Sequence, residues 1–526
     1  MRHLSRFTIS LGLTCAFVMP AFADEPAAKN VILMISDGIG FNGWLAADYY
    51  QGKAGSQSYQ IARPDGTEPR LYGQTHWSVN PVDENGNLVS DDEADQAAGV
   101  VEQYYDPTTR WNRFENTFLN DFAPVGQSYT SYTDSSSAAT ALYTGRKTVN
   151  GRINKDWKGE IDFVTIAQIA NAQGRATGAV STVQVSHATP GAVWSHAASR
   201  NSYADIFNDM VGSGLDVIMG AGHPDFDRSG RRLEDGAERD YKFVGGEETW
   251  TALTSEEGHN DFAFIEEKSD FEALAAGENL PRKVVGVMQS ISTAQSDRSD
   301  LDADEANPSG MAFVENVPSL ATMTQASLNV LNQNETGFFV MIEGGAVDWM
   351  GHANDMPRYI EEQIDFNLAV DAAIEWIEEN SNWEETLLIV TSDHETGGIW
   401  GEGTYANGSG PAVADPSDKE AIEAARFDPT QDRFNDYLAV QDRGAGSMPG
   451  YQFSSGNHTN ELVPLWAIGS GSQLFDEARR VDVRAAKLWG NDAAYDWDGS
   501  FIDNTSVFDV MNRVLSTDHL ESRAGL

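Results

Sequence analysis

Short apolar runs recur along the chain, each followed by a polar or glycine-rich step and then by a segment with helical spacing. Residues 31–35 are uninterruptedly apolar and lead into Ser36-Asp37-Gly38-Ile39-Gly40, the pattern of a buried strand followed by a glycine turn. Comparable runs stand at 176–182, 216–219, 283–288, 337–342, 387–391 and 464–468. Between them, apolar residues fall three and four apart. Phe163, Ile166, Ala167, Ile169 and Ala170 make one such face, with Gly174 placed to end the helix. The clearest amphipathic helix is 357–380: Ile360, Ile364, Ala369, Ala373 and Ile377 share a face, and Glu361, Glu362, Asp365, Glu375, Glu378 and Glu379 lie largely elsewhere. Strands this apolar are covered on both sides. The alternation therefore predicts an α/β fold with a large, mainly parallel central sheet between helices.

Two regions interrupt the pattern. Residues 51–125 are rich in Gly, Pro, Asn and acid, including Asp83-Glu84-Asn85-Gly86-Asn87 and Asp91-Asp92-Glu93-Ala94-Asp95. They predict an acidic surface insertion with little core of its own. The first run stops short of a calcium loop, because Leu88 occupies the position that needs glycine. Residues 402–456 read as loop, with a short helical pattern at 419–425. The rest of 24–526 is read as one large α/β domain carrying these insertions.

Residues 1–23 are read as a signal peptide. Arg2 and Arg6 precede an apolar run over 7–18, and Ala21-Phe22-Ala23 fits a cleavage site. The expectation is export to the periplasm or the medium. The single cysteine, Cys15, falls inside this leader, so the mature chain has no thiol. Any metal site must be built from imidazole, carboxylate or hydroxyl groups.

Charge narrows the partners. With 80 acidic and 35 basic residues the net charge is −45, which argues against a nucleic-acid-binding surface and against docking on an anionic membrane. No later run is apolar enough to span a bilayer. Such self-repulsion is expected of a protein adapted to salt.

The candidate chemistry sits just past the strands. In Thr133-Asp134-Ser135-Ser136-Ser137-Ala138-Ala139, small polar residues give way to helix formers, which places Ser135 in the first turn of a helix. Unpaired N–H groups and the positive end of the helix dipole favour phosphate there. Asp37, Asp134, His187, Thr189, Glu343, Asp348, Asp393 and His394 occupy similar steps, and His352 and His458 join them. Asp348 and His352, four apart, share a face if their segment is helical. With Asp393, His394 and His458 they offer enough nitrogen and oxygen for two zinc ions. Glu343, Thr189 and a shared Asp offer only hard oxygen, which suits magnesium.

The ordered set Asp37-Gly38-Ile39-Gly40, Thr133-Asp134-Ser135, His187-Ala188-Thr189-Pro190, Arg200, Glu343-Gly344-Gly345-Ala346-Val347-Asp348-Trp349-Met350-Gly351-His352, Asp393-His394 and His458-Thr459 resembles the alkaline phosphatase family. The resemblance implies hydrolysis of phosphate monoesters, with Ser135 as nucleophile and Arg200 gripping two phosphate oxygens. It implies that Asp348, His352 and His458 hold one zinc, and that Asp37, Asp393 and His394 hold the second. Asp37 would bridge to a magnesium completed by Thr189 and Glu343. Asp134, His187 and Trp349 would flank these groups, and the assembly would be a homodimer. His187 and Trp349 stand where the family varies between an Asp/Lys pair and pairs containing His. A sulfatase reading fails because Ser135 is followed by Ser136-Ser137-Ala138-Ala139 rather than by Pro and Arg.

Overall fold

The computed structural model describes residues 27–102, 105, 132–255, 258–402, 427–428, 433–434, 439–483, 485–486 and 495–516. The leader at 1–23 and the helical pattern at 419–425 lie outside these residues.

Eleven strands form the central sheet: β1 (Asn30–Ser36), β2 (Arg70–Thr75), β3 (Ala176–Gln184), β4 (Val217–Ala221), β5 (Ala263–Ile265), β6 (Val284–Val287), β7 (Phe338–Gly344), β8 (Thr386–Thr391), β9 (Val463–Gly469), β10 (Arg480–Val481) and β11 (Ser500–Asp503). Their spatial order is β10-β11-β2-β9-β8-β1-β7-β3-β4-β6-β5. From β8 to β5 every pairing is parallel. β9 runs antiparallel to both β8 and β2, so the sheet is mixed on one side of the site and parallel across it.

Six helices matter for the site and the core: α1 (Ser135–Thr144), α2 (Ile166–Ala172), α3 (Leu320–Leu331), α4 (Ala346–Ala353), α5 (Met356–Asn380) and α6 (Thr505–Leu515). Alternate residues of each strand feed two separate cores. Ile32, Met34, Val340, Ile342, Leu388 and Val390 pack with Met323 and Leu328 of α3 and with Ile360, Phe366 and Ile377 of α5. Val31, Leu33, Ile35, Phe339, Met341, Leu387 and Ile389 pack on the opposite face with Leu142 of α1, Ile166 of α2 and Val510 and Val514 of α6. Burying one such side chain stabilises the fold by about 1.5–3 kcal/mol, so the central strands fix the frame on which the site is mounted.

The expected surface insertion departs from prediction at 70–75. That segment is β2, an interior strand between β9 and β11. Gly73 stands inside this strand. Here it makes room for Trp497, whose Cζ2 would lie 2.8 Å from a Cβ at that position. Tyr59 is also fully buried in the core. Residues 79–102 do form a separate hairpin, with Val79–Val82 pairing antiparallel to Gly99–Glu102. In the 83–88 loop, Asp83 Oδ1 accepts the N–H groups of Asn85 and Asn87, both at 2.8 Å. Between His187 and Arg200 the chain makes a single helical turn, Ala188–Gly191.

Candidate active site

Register sets the site. Ile35 of β1 lies opposite both Glu343 of β7 and Thr391 of β8, and Ser181 of β3 also lies opposite Glu343. The residues that follow these four neighbouring strands therefore emerge on one edge, where ligands bind parallel sheets. Asp37 follows β1, and its N–H donates to Gly344 O at 3.1 Å. Gly38 has φ +77°, and a Cβ there would lie 2.6 Å from Asp348 Cα. Glycine alone lets the β1 loop approach α4 this closely. Its N–H and that of His394 both donate to Asp393 Oδ1, at 3.1 and 2.9 Å, leaving Asp393 Oδ2 for another partner.

Two clusters of potential metal ligands result. Asp348 and His352 lie one turn apart on α4, as the four-residue spacing predicts, and His458 faces them from its own short strand. His352 Nε2 is 3.1 Å from His458 Nε2, and the two nitrogens lie 3.5 and 3.4 Å from Asp348 Oδ2 and Oδ1. The second cluster joins Asp37, Asp348 and His394. His394 Nε2 lies 3.5 Å from Asp37 Oδ1, 3.3 Å from Asp393 Oδ2 and 3.3 Å from Ser135 Oγ.

Beside this cluster, Glu343 and Thr189 are both fully buried. The Ser181 hydroxyl donates to Glu343 Oε2. Glu343 Oε1, Thr189 Oγ1, Asp37 Oδ1 and Asp393 Oδ2 are buried without a hydrogen-bond partner. Burial pushes Glu343 up to about 8 and Asp393 up to about 6. Asp37 is raised by burial and then by the charges of Asp393, Asp348 and Glu343. Asp348 is the exception: burial works against its charge, but the hydrogen bond and charge of His458, with His352 and His394, hold it below the ordinary carboxylate range. A group of inward-facing oxygens without donors is costly unless a cation offsets it. The donor set fits metal ions on this ground.

Ser135 is the first residue of α1 and 2% exposed. Asp134 caps the helix, accepting Ser137 N–H at 2.9 Å, and takes Gly151 N–H at 3.1 Å and Arg200 Nη1 at 2.9 Å on Oδ2. One carboxylate thus fixes both the start of the helix and the guanidinium. Asp134 is consequently lowered; burial opposes this, but Arg200 and the helix N–H outweigh it. A cavity of about 430 Å³ opens over Ser135, lined by His187, Arg200, Asp348, Trp349, His352 and His458. In its wall the His187 ring stacks on Tyr203 at 6.2 Å and meets the edge of Trp349 at 5.7 Å. Burial, reinforced by Arg200, pulls His187 down to about 3, so it is neutral near pH 7.

Several contacts to the candidate residues escaped the sequence reading. Thr396 donates from Oγ1 to Asp348 Oδ1 at 2.5 Å. Asn150 Oδ1 accepts Asp134 N–H at 3.0 Å and Ser137 Oγ–H at 2.9 Å. Ser181 orients Glu343. Thr396 lies two residues beyond His394, and a search for hydroxyls flanking the ligands would have found it. Asn150 has no such signal.

A sheet with serine, arginine and two carboxylate–imidazole clusters gathered at its strand ends defines a hydrolase of phosphate esters. The alkaline phosphatase family model matches residues 103–480, and the chain belongs to that family. It is a phosphatase acting on phosphate monoesters. Alkaline phosphatase 3 of Bacillus subtilis is 29% identical over 385 residues, covering 65% of this chain and 73% of the relative. The alkaline phosphatase of Escherichia fergusonii is 31% identical over 400 residues, 70% of each chain. Among solved structures, the alkaline phosphatase of the Antarctic bacterium TAB5 shares the fold with a TM-score of 0.52 at 22% identity, over 93% of this chain and 98% of that one. That of Thermus thermophilus gives 0.51 at 19% identity, over 98% and 100%.

Proposed function

We propose that the chain hydrolyses phosphate monoesters through a phosphoserine at Ser135. Asp348, His352 and His458 would hold one zinc ion, and Asp37, Asp393 and His394 a second. Thr189 and Glu343, with Asp37, would hold magnesium. When bound, such ions lower the pKa of a hydroxyl and offset charge on a transferring phosphoryl group.

Arg200 offers a planar fork to two non-bridging phosphate oxygens, and Asp134 keeps that fork aimed into the cavity. The start of α1 supplies unpaired N–H groups and a positive dipole end. Ser135 Oγ attacks phosphorus; the Oγ–P bond forms as the ester P–O bond breaks, and the alcohol leaves with a proton. Water then attacks the phosphoserine, the Oγ–P bond breaks, and Ser135 recovers its proton as phosphate departs.

The observation that carries this reading is the environment of His394 Nε2. Ser135 Oγ, Asp37 Oδ1 and Asp393 Oδ2 all approach that one nitrogen within 3.5 Å. A serine–histidine–aspartate triad would instead place the carboxylate on Nδ1. Spacings of 3.3–3.5 Å between one imidazole nitrogen and three oxygens support donors that share a cation. Comparing turnover of a phosphate monoester, a phosphate diester and a sulfate ester by the purified protein tests the proposal. The monoester should dominate; a preferred diester or sulfate would overturn it.

Export and dimerisation belong to the same proposal. Among the described residues no helix is long and apolar enough to cross a membrane. Cleavage after Ala23 would leave Asp24 as the N-terminus of protein recovered from the periplasm or medium.

A further inference from the structure

A second cavity, of about 530 Å³, lies away from Ser135 between α5, the start of α3 and the 313–319 loop. Its floor is acidic. Glu361, Glu362 and Asp365 project from α5, where residues three apart share a face. Glu361 is fully paired: Oε2 accepts Arg298 Nη2 at 2.8 Å and Oε1 accepts Ser309 N–H at 2.7 Å. Asp365 Oδ2 accepts only the Leu320 N–H, at 3.2 Å. Glu362 is 3% exposed, and its Oε1 has no partner. Among the described residues, no cationic side chain forms an ion pair with Glu362 or Asp365. Lys268 at the rim is turned to Glu315 O instead, at 3.1 Å.

Two carboxylates with no ion pair of their own are costly as charges, and the Arg298 guanidinium, committed to Glu361, offsets that cost only in part and only at Glu362. Burial pushes Glu362 up to about 8, with the Asp365 charge adding to it and the Arg298 charge opposing it, and burial pushes Asp365 up to about 6. Phe313, Val314, Val317 and Pro318 form an apolar strip of wall, with Gln295, Glu315 and Ser319 beside it. Among the described residues, the groups of three or more ligands close enough to hold a metal are both at the active site. Two carboxylates against an apolar wall suit a monovalent head on a carbon body better than a bare divalent ion.

We propose that this cavity binds an organic ammonium ion, its head on Glu362 and Asp365 and its carbon chain along Phe313, Val317 and Pro318. The acidic protein attracts cations generally, so the test must separate this site from the surface. Titration calorimetry of the whole enzyme with n-hexylammonium chloride, at pH 9 in 0.5 M NaCl, should show one saturable site. Affinity should fall tenfold or more in Glu362→Gln and for methylammonium chloride. It should be unchanged in Asp92→Asn, an exposed control. Phe313→Ala removes a side chain that is 43% exposed and lies under the Arg298 guanidinium at 4.8 Å, so the variant's thermal midpoint is compared with that of the wild type. It should weaken hexylammonium at least threefold and leave methylammonium unchanged. The proposal is overturned by the absence of a saturable site, by equal affinity in Glu362→Gln, or by an unaltered chain-length preference in Phe313→Ala. Calcium chloride filling the same site more tightly than hexylammonium would also overturn it, in favour of a metal.

Discussion

His352 and His458 present their Nε2 atoms to each other at 3.1 Å, while their Nδ1 atoms are held by backbone carbonyls, Gly456 O at 2.8 Å and Thr133 O at 2.7 Å. With Nδ1–H donating to the backbone, both Nε2 lone pairs face a common point beside Asp348. Carbonyls that fix the tautomer in this way are a usual support for a metal-ligating histidine. The contact also sets a pH dependence. Burial would lower His458, but its hydrogen bond to Asp348 and the Asp348 charge raise it. A raised histidine contributes stability that is complete below its unfolded pKa and is lost as pH rises through the folded value. In the metal-free protein this pair therefore stabilises on the acid side. Metal must displace the proton, so zinc retention should fall as pH drops, beginning above the ordinary histidine value of about 6.5. Zinc content measured after dialysis from pH 9 to pH 5.5 should decline monotonically, and earlier in His352→Ala. Retention that is flat across this range would contradict it.

Arg200→Lys should leave the fold intact and weaken phosphate binding. Lysine cannot reproduce the two-pronged contact. One charge-assisted hydrogen bond is worth about 1.5–3 kcal/mol, so inorganic phosphate should inhibit roughly tenfold or more weakly. Competitive inhibition constants read this directly. If they are unchanged, Arg200 serves only to hold Asp134.

Thr396→Val keeps the shape of the side chain and removes the donor to Asp348. Loss of such a partner typically costs about 10–100-fold in metal affinity or activity. Zinc affinity by competition with a chelator should fall within that range, and Thr396→Ser should restore most of it. Equal affinity in the valine variant would show that Asp348 is positioned without Thr396.

A charge of −45 implies self-repulsion that salt shortens, from a reach of about 10 Å at 0.1 M to about 3 Å at 1 M. The thermal midpoint should rise between about 0.1 and 0.5 M NaCl at saturating metal, where sucrose at equal concentration does little. A flat or falling midpoint would remove salt adaptation from the account.

The strands that carry the site were legible because β1, β7 and β8 are buried on both faces and so are written as unbroken apolar runs. β2 was not, because Arg70-Leu71-Tyr72-Gly73-Gln74-Thr75 becomes a strand only through Val463–Gly469, Ser500–Asp503 and the packing of Trp497 on Gly73. The site followed the same division. Asp37, Glu343 and Asp393 could be read because strand ends face one edge of a parallel sheet. The supports of His352 and His458 are backbone carbonyls, which leave no mark in a sequence. Thr396 is flagged in the sequence only by its place two residues beyond His394; that its hydroxyl reaches Asp348 follows from its pairing with His458 across a two-residue bridge.

The central claim is covalent catalysis at Ser135. Enzyme quenched in acid during steady-state turnover of a phosphate monoester should yield, by peptide mass spectrometry, a phosphate on Ser135. Ser135→Ala should carry none, lose most of its activity and retain its zinc. Phosphate absent from Ser135 in the wild type, or an alanine variant with unchanged turnover, would contradict the account.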